Sequence, residues 1–162
     1  MKKKILFLLV ATFLLTACTK DDEALVGTIW SLSGGSSVIL ETGDTSSVGS
    51  YSFKIKFETA NHGHAYLNKS ETCYWEHDTI TYVINGVFDV SYSFNGAEKE
   101  GTITFTKESC DGQMYAEEYL AYLWTEPITS SFYTYADDTN MLIYSYPDES
   151  SLGGHFTTLT KE

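Results

Sequence analysis

One stretch of the chain, from Tyr51 to Glu58, alternates apolar and polar side chains without interruption. Its apolar members are Tyr51, Phe53, Ile55 and Phe57, and a polar or charged residue follows each of them. Successive side chains of a β-strand point to opposite faces, so this period of two predicts a strand with one buried and one exposed face. It is the strongest strand signal in the chain.

Shorter pieces of the same signal run through the rest of the sequence. The chain has only two prolines, Pro127 and Pro147, and aromatic and β-branched residues are abundant. This composition is typical of strands. Phe88, Val90, Tyr92 and Phe94 share one face of their segment. Further strands are expected at residues 25–33, 38–42, 64–68, 72–77, 79–84, 87–94, 102–107, 131–135, 140–146 and 155–160. Turns or loops are expected at residues 34–35, 43–50, 61–63, 85–86, 95–101 and 137–138.

One segment changes period. From Asp111 to Trp124, the spacing of the tyrosines and Leu123 fits one face of a helix, with Asp111 suited to cap it. The sequence therefore predicts an all-β domain with one short helix. A closed antiparallel up-and-down barrel of about eight to ten strands and a two-sheet β-sandwich both protect strand edges. The simple succession of hairpins favours the barrel, and the sandwich is the alternative.

The first expected strand opens with the segment LVGTIW at residues 25–30. This segment resembles the opening strand of lipocalin-like domains in small bacterial lipoproteins, where Leu-x-Gly-x-Trp is common and the Trp closes one end of a β-barrel. The resemblance implies a lipocalin-like barrel with Gly27 and Trp30 in these places. Here Ile29 adds one residue between them. Lipocalins also stack an Arg on that Trp; this chain has none, and Lys161 is the nearest substitute.

The N-terminus has the composition of a bacterial export signal. Three lysines at residues 2–4 precede an apolar run at residues 5–17, which is shorter than the roughly 20 residues that a bilayer-spanning helix needs. The run ends in LTAC at residues 15–18, which resembles the lipobox of bacterial lipoproteins. The resemblance implies cleavage before Cys18 and acylation of this cysteine. Two or more acyl chains give a stable membrane anchor, so Cys18 is the expected link to the membrane.

Three regions are therefore expected: a lipoprotein signal peptide at residues 1–17, a lipidated acidic tether at residues 18–24, and a single barrel domain at residues 25–162. Residues 19–23 combine a lysine with acidic residues. This composition resembles the export signal that sends some Gram-negative lipoproteins to the outer face of the outer membrane. We expect a lipid-anchored outer-membrane protein exposed at the cell surface, with the periplasmic face as the alternative.

The charge of the chain disfavours one class of partner. The net charge is −12, and loss of the leader removes three of the ten basic residues, which leaves about −15. Nucleic-acid backbones are bound by clustered Lys and Arg, so we expect no nucleic-acid partner.

Two cysteines remain besides Cys18, namely Cys73 and Cys110. An exported protein enters a compartment that permits disulfides. A bridge between the two would close a loop of about 38 residues and stabilise the fold by roughly 3–4 kcal/mol. Two free buried thiols are the alternative, and the sequence favours neither.

One pair of residues in the sequence has the spacing of metal ligands. His62 and His64 lie two residues apart, so on a strand they share a face, which suits metal ligation. A third ligand, His77 or a carboxylate, has to come from elsewhere, and two histidines beside a turn are more often solvated. Glu117 and Glu118 point in different directions on the expected helix, unlike a catalytic carboxylate pair. No nucleotide-binding or nucleophile motif is present, so we expect neither enzymatic activity nor a cofactor.

The aromatic content is the positive indication of function. The chain has 12 Tyr, 9 Phe and 3 Trp, and such rings fill barrel interiors, stack on sugars or anchor interfaces. The candidates for ligand contact are Tyr74, Trp75, Trp124, Tyr133 and Tyr135. The sequence thus predicts a non-enzymatic, lipid-anchored cell-envelope module that binds a small apolar or sugar-like ligand in a barrel mouth. The alternative is a protein–protein adaptor or an accessory subunit of an outer-membrane uptake or assembly complex, with an envelope protein as its partner.

Overall fold

The computed structural model describes residues 23–39, 45–74, 79–113, 124–145 and 155–162. These residues form eight strands and contain no helix. The strands are β1 (Ile29–Ile39), β2 (Thr45–Thr59), β3 (His62–Tyr74), β4 (Thr79–Asn95), β5 (Glu100–Gln113), β6 (Ile128–Thr134), β7 (Asn140–Ser145) and β8 (His155–Lys161). Across these described ranges, no helix is long and apolar enough to cross a bilayer.

The eight strands form a closed antiparallel up-and-down barrel. Each strand pairs with the next in sequence, and β8 returns to pair with β1. The pairs that close the ring are Trp30 with Lys161 and Ser31 with Thr160. The prediction of a barrel is therefore confirmed, and the sandwich alternative is excluded.

The predicted alternation of the second strand is confirmed along most of its length. Ile55 and Phe57 are fully buried, and Phe53 is half-buried against the same core. Tyr51, at the far end of the run, is 37% exposed. The inward face predicted for residues 87–94 is likewise confirmed, because all four of its apolar residues are buried.

Three predicted strand pairs are in fact single long strands. The segments at 25–33 and 38–42 join in β1, those at 64–68 and 72–77 join in β3, and those at 79–84 and 87–94 join in β4, as far as the described residues reach. The predicted start of the first strand is wrong, because β1 begins only at Ile29 and a turn occupies residues 23–27. The loop predicted at 43–50 is also wrong from residue 45 onward, because β2 begins there. The turns at residues 96–99 and 136–138 lie where turns were expected.

Asn85 and Gly86 form no turn, although this pair is a strong turn signal. Asn85 is held in the sheet by its neighbours on both sides. The Asn68 amide donates to Asn85 Oδ1 at 2.5 Å, and the Asn85 amide donates to Asp111 Oδ1 at 2.9 Å. A Cβ atom on Gly86 would lie 2.9 Å from the Phe88 ring, so the glycine makes room for this ring. Packing across the sheet overrides the local turn preference.

Gly34 is also part of a strand rather than a turn. It pairs with Tyr51 across β1 and β2, and the Tyr51 ring covers it so closely that a Cβ atom would lie 2.7 Å from the hydroxyl. The adjacent Gly35 pairs with Ser50 in the same ladder. The Tyr51 ring thus fills the gap that Gly34 would leave in the sheet.

The predicted start of the helix is wrong. Asp111 lies within β5, where it pairs with Asn85, and it caps no helix. The chain is still in β5 at Gln113. Residues 114–123, which carry the rest of that prediction, lie outside the described residues, and Trp124 is in a turn.

The strands fall into a long and a short group, so the two ends of the barrel differ. Strands β1 to β5 have 11 to 17 residues, whereas β6 to β8 have 6 or 7. We call the end where β1 begins and β8 finishes the closed end. The other end, where β5 continues past its pairing with β6, is the open end.

Candidate functional site

The closed end is sealed by the residues that precede and begin β1. Trp30 is only 1% exposed, and Lys161 Nζ lies 5.7 Å from the centre of its ring, close enough for a cation–π contact. The Trp30 indole N–H donates to Thr28 Oγ1 at 2.9 Å. Gly27 has a φ of +79° and donates its N–H to the Phe57 carbonyl at 2.8 Å. Gly27, Trp30 and Lys161 therefore stand at one end of the barrel, the place that the resemblance assigns to them.

Side chains fill the barrel next to this seal. Phe57 packs edge-on against Tyr92, with ring centres 4.6 Å apart, and Phe94 stacks on Phe132 at 5.6 Å. Edge-to-face and offset stacked rings are the favoured aromatic arrangements. The largest fully buried side chains are Trp30, Phe57, Phe132, Ile55, Ile103, Met141, Leu159 and Val90. Among the described residues, many of the abundant aromatic side chains therefore belong to the hydrophobic core.

Packing is less complete toward the open end. Here a depression of about 140 Å³, which we call the mouth pocket, is lined by Phe53, Leu67, Phe88, Phe105, Trp124 and Ile128. Its rings touch one another: Phe88 lies 5.3 Å from Trp124, and Phe105 lies 5.9 Å from Phe53. The pocket is a nearly apolar surface with four aromatic walls.

Trp124, which lines this pocket, has an unusual backbone conformation. Its φ is 52°, in the left-handed region that bulky residues rarely adopt and that costs about 1–3 kcal/mol. Its ring is half-buried and packs against the core, in contact with Phe88. Burial of the indole offsets the strain of the turn.

A polar rim continues from the mouth pocket along the same inner face. Lys69 pairs with Ile84 and Glu71 pairs with Tyr82, and these four residues line a second depression of about 210 Å³. Lys69 Nζ lies 3.3 Å from Glu71 Oε2. The open end thus offers an apolar floor next to a charged and hydroxyl-bearing edge.

Of the four predicted ligand residues that the structure describes, Trp124 alone lines the mouth pocket. Tyr74 is 47% exposed at the end of β3, and Trp75 lies outside the described residues. Tyr133 and Tyr135 contact each other at 5.5 Å near the closed end. They lie on the outer surface, because Phe132 and its alternate neighbours on β6 point inward, and they do not line the mouth pocket.

Sequence reasoning missed most of the actual walls of the pocket. Phe53 and Phe88 were placed on inward faces, which is correct, but Leu67 and Phe105 were not singled out. Alternation identifies an inward ring, yet whether that ring lines a pocket depends on how far the neighbouring strands extend. That length is a property of the whole sheet.

The two cysteines of the domain are free thiols. Cys73 pairs with Ile80 on one side of β4, and Cys110 pairs with Gly86 on the other. Their partners are six residues apart, which at the rise of a strand corresponds to about 20 Å. A disulfide requires Cα atoms within about 7 Å, so the bridge is excluded in this fold. Burial raises the pKa of the Cys110 thiol.

The outer face of β2 to β5 carries a cluster of titratable side chains around His62 and His64. His62 Nε2 contacts Asp89 Oδ1 at 2.5 Å, and His64 Nδ1 lies 3.0 Å from Glu58 Oε2. Hydrogen bonds from Lys56 first, and then from His64, lower the pKa of Glu58. Carboxylates from neighbouring strands thus reach both histidines. The sequence candidates His77, Glu117 and Glu118 lie outside the described residues.

A larger depression, of about 420 Å³, lies against the outside of β4 to β7. Small polar residues such as Ser93, Thr102 and Ser131 line it together with Tyr144. The Ser93 and Thr102 hydroxyls already bond each other at 2.9 Å. It therefore offers a ligand fewer apolar contacts than the mouth pocket does.

Comparisons with other proteins do not add a functional assignment. No protein-family model, no curated protein and no solved structure matches the chain. The candidate sites therefore rest on the barrel and its own side chains.

Proposed function

We propose that the protein is a non-enzymatic, lipid-anchored module of the cell envelope that binds a small, mainly apolar ligand at the open end of its barrel. The observation that carries this proposal is the mouth pocket, where four aromatic rings and two aliphatic side chains surround a depression at the open end. Ligand sites are typically concave and apolar, with a few polar groups to orient the ligand.

The size of the pocket limits the ligand. Drug-sized molecules occupy pockets of about 300–1,000 Å³, whereas an apolar cavity of about 150 Å³ is large enough to hold benzene. The mouth pocket, at about 140 Å³, fits a single ring or a short hydrocarbon segment. A polar group on the same ligand would reach Lys69, Glu71 or Tyr82 on the rim.

The position of the tether agrees with this use of the open end. Residues 23–28 lie at the closed end, where Gly27 bonds to Phe57 and Leu25 is buried. A lipid on Cys18 would therefore be attached next to the closed end of the barrel. The mouth pocket would then lie at the far side of the domain from its anchor.

Titration with benzyl alcohol, which combines one ring with one hydroxyl, tests the proposal. We expect a saturable shift of the Trp124 indole N–H signal in NMR spectra. Trp124→Ala removes one wall and should weaken binding at least fivefold, as judged from other pocket resonances. Tyr135→Ala removes an exposed ring near the closed end and serves as the matched control. Titration shifts that never saturate, or equal affinity in Trp124→Ala, would rule out the mouth pocket as the site.

An adaptor that binds an envelope protein is the second candidate function. The observation in its favour is the pair Tyr133 and Tyr135 on the outer surface, since exposed tyrosines are common anchors of interfaces. The double variant Tyr133→Ala/Tyr135→Ala should then lose a partner that cross-linking of native membranes recovers with the wild type. Cross-linking that recovers the same proteins from both would remove this candidate.

A further inference from the structure

We propose that the outer face of the barrel holds a site for a divalent transition-metal ion, with Glu58, His62 and His64 as its ligands. One ligand atom from each of these three residues can be chosen so that all lie within 4.8 Å of one another. The site is separate from the mouth pocket and does not depend on the function proposed for it.

Strand register brings the three side chains together. His62 and His64 are alternate residues of β3, and the buried Gly63 and Ala65 beside them face inward. His64 pairs with Lys56 on β2, which places Glu58 beside the histidines. The two imidazole rings have centres 5.3 Å apart. Ligands of tetrahedral zinc lie roughly 3.3–3.5 Å from each other when metal–ligand bonds are about 2.0–2.2 Å, so small side-chain rotations would complete the site.

Further carboxylates face the two histidines from the other side. Asp89 on β4 contacts Nε2 of His62, which leaves the Nδ1 of this ring for a different partner. Glu108 on β5 lies 3.8 Å from Nε2 of His64, whose Nδ1 faces Glu58. Histidines that bind metals usually have a carboxylate or carbonyl on their second ring nitrogen, which fixes the ring and raises its basicity. His62 has this arrangement through Asp89, and on His64 the carboxylate of Glu108 stands 3.8 Å from the second ring nitrogen.

The local charge favours a cation. Three carboxylates surround the two imidazoles, and Lys56 is a positive group that contacts the cluster, with its Nζ 2.8 Å from Glu58 Oε1. The second oxygen of Glu58 faces His64 and is the one available for a metal. A metal ion and Lys56 would share this carboxylate, one on each oxygen.

The donor set and the exposure indicate what would bind. Imidazole with carboxylate suits zinc, copper, nickel or iron, whereas calcium and magnesium prefer oxygen alone. The side chains of the cluster are 27–45% exposed, so water can fill the remaining coordination positions. We therefore infer an exchangeable site on the surface rather than a closed structural one.

Calorimetric titration of tag-free protein with Zn²⁺ tests this inference. We expect one ion per chain, and a loss of affinity of at least 100-fold in His62→Ala/His64→Ala. The variant should keep its fold, because both rings are partly exposed, and circular dichroism checks this. Glu98→Gln removes an exposed carboxylate elsewhere and should bind as the wild type does. No saturable binding, or equal binding in the double variant, would overturn the inference.

Single variants test the choice of ligands. His64, Asp89 and Glu108 form a second possible set that shares one histidine with the first. With Glu58, His62 and His64 as ligands, His62→Ala should weaken zinc binding more than tenfold, and Glu108→Gln by less than that. The reverse order of the two effects would reject the ligand set proposed here.

Discussion

Several aromatic rings of this barrel rest on glycines. Tyr51 covers Gly34, Phe88 covers Gly86, and Phe132 covers Gly101. Glycine weakens a strand because it has no side chain to pack, and a ring laid over it restores that packing. The residue pairs explain how a sheet with glycines in β1, β4 and β5 keeps a continuous inner surface.

Replacement of Gly101 by alanine tests this arrangement. The added Cβ would clash with the Ser93 carbonyl oxygen and lie 2.6 Å from the Phe132 ring. Overpacking of this kind typically costs about 1–3 kcal/mol. We expect Gly101→Ala to lower the free energy of unfolding by that amount in urea titrations. Thr106→Ala, on the exposed face of the same strand, should change it by less than about 1 kcal/mol.

Trp30 and Lys161 make unequal contributions to the closed end. Trp30→Ala leaves a large cavity in the core and should cost about 3–5 kcal/mol. Lys161→Met keeps most of the aliphatic stem and loses only the charge over the ring, so it should cost no more than about 1 kcal/mol. Urea titration of both variants measures the difference. Equal losses would mean that the cation is as important to the seal as the indole.

At the level of strands, the sequence predicted the alternation of side chains better than it predicted the lengths of the strands. Uninterrupted alternation made β2 recognisable from its own residues. The predicted turn at Asn85 and Gly86 failed because side chains on β3 and β5 hold Asn85 in the sheet. Such contacts exist only once the register is set, and no local pattern contains them.

The same distinction applies to the candidate sites. Alternation placed His62 and His64 on one face, but Glu58, Asp89 and Glu108 come from three other strands. Trp124 was selected as a ligand residue from its type and its segment. The pocket around it depends on β6 to β8 being shorter than their neighbours, which the sequence did not reveal.

The turn between β6 and β7 should depend on pH. Hydrogen bonds from the Thr139 hydroxyl and then from its backbone N–H lower the pKa of Asp137. A carboxyl group with a lowered folded-state pKa stabilises the fold above its unfolded pKa of about 3.9, and this is lost as the pH falls through the folded value. Asp137→Ala should therefore unfold at lower urea than the wild type at pH 6. Its deficit should shrink at pH 2.5, and a constant deficit would contradict the argument.

For the molecule as a whole, the predicted anchor is tested by one substitution. Cys18→Ser in the full chain should abolish incorporation of labelled palmitate in a Gram-negative host and shift the protein out of the detergent phase. Lipid attachment supplies about 0.8 kcal/mol per buried CH₂, so its loss should be decisive. Cys110→Ser, which changes a thiol of the barrel, should remain labelled. If the Cys18→Ser protein still incorporated the label, the lipid would be attached to a different residue.

The barrel is closed by a short pairing between β8 and β1, which covers two residue pairs. This junction pairs residues from opposite ends of the chain, with the Glu162 N–H bonded to the Ile29 carbonyl at 2.9 Å. Such distant partners carry the largest loop-closure entropy, so we expect this junction to form last during folding. A circular permutant that links residue 162 to residue 23 and opens the turn at Ala60 and Asn61 would keep all eight strands. Its last step of folding would then move to the pairing of β2 with β3.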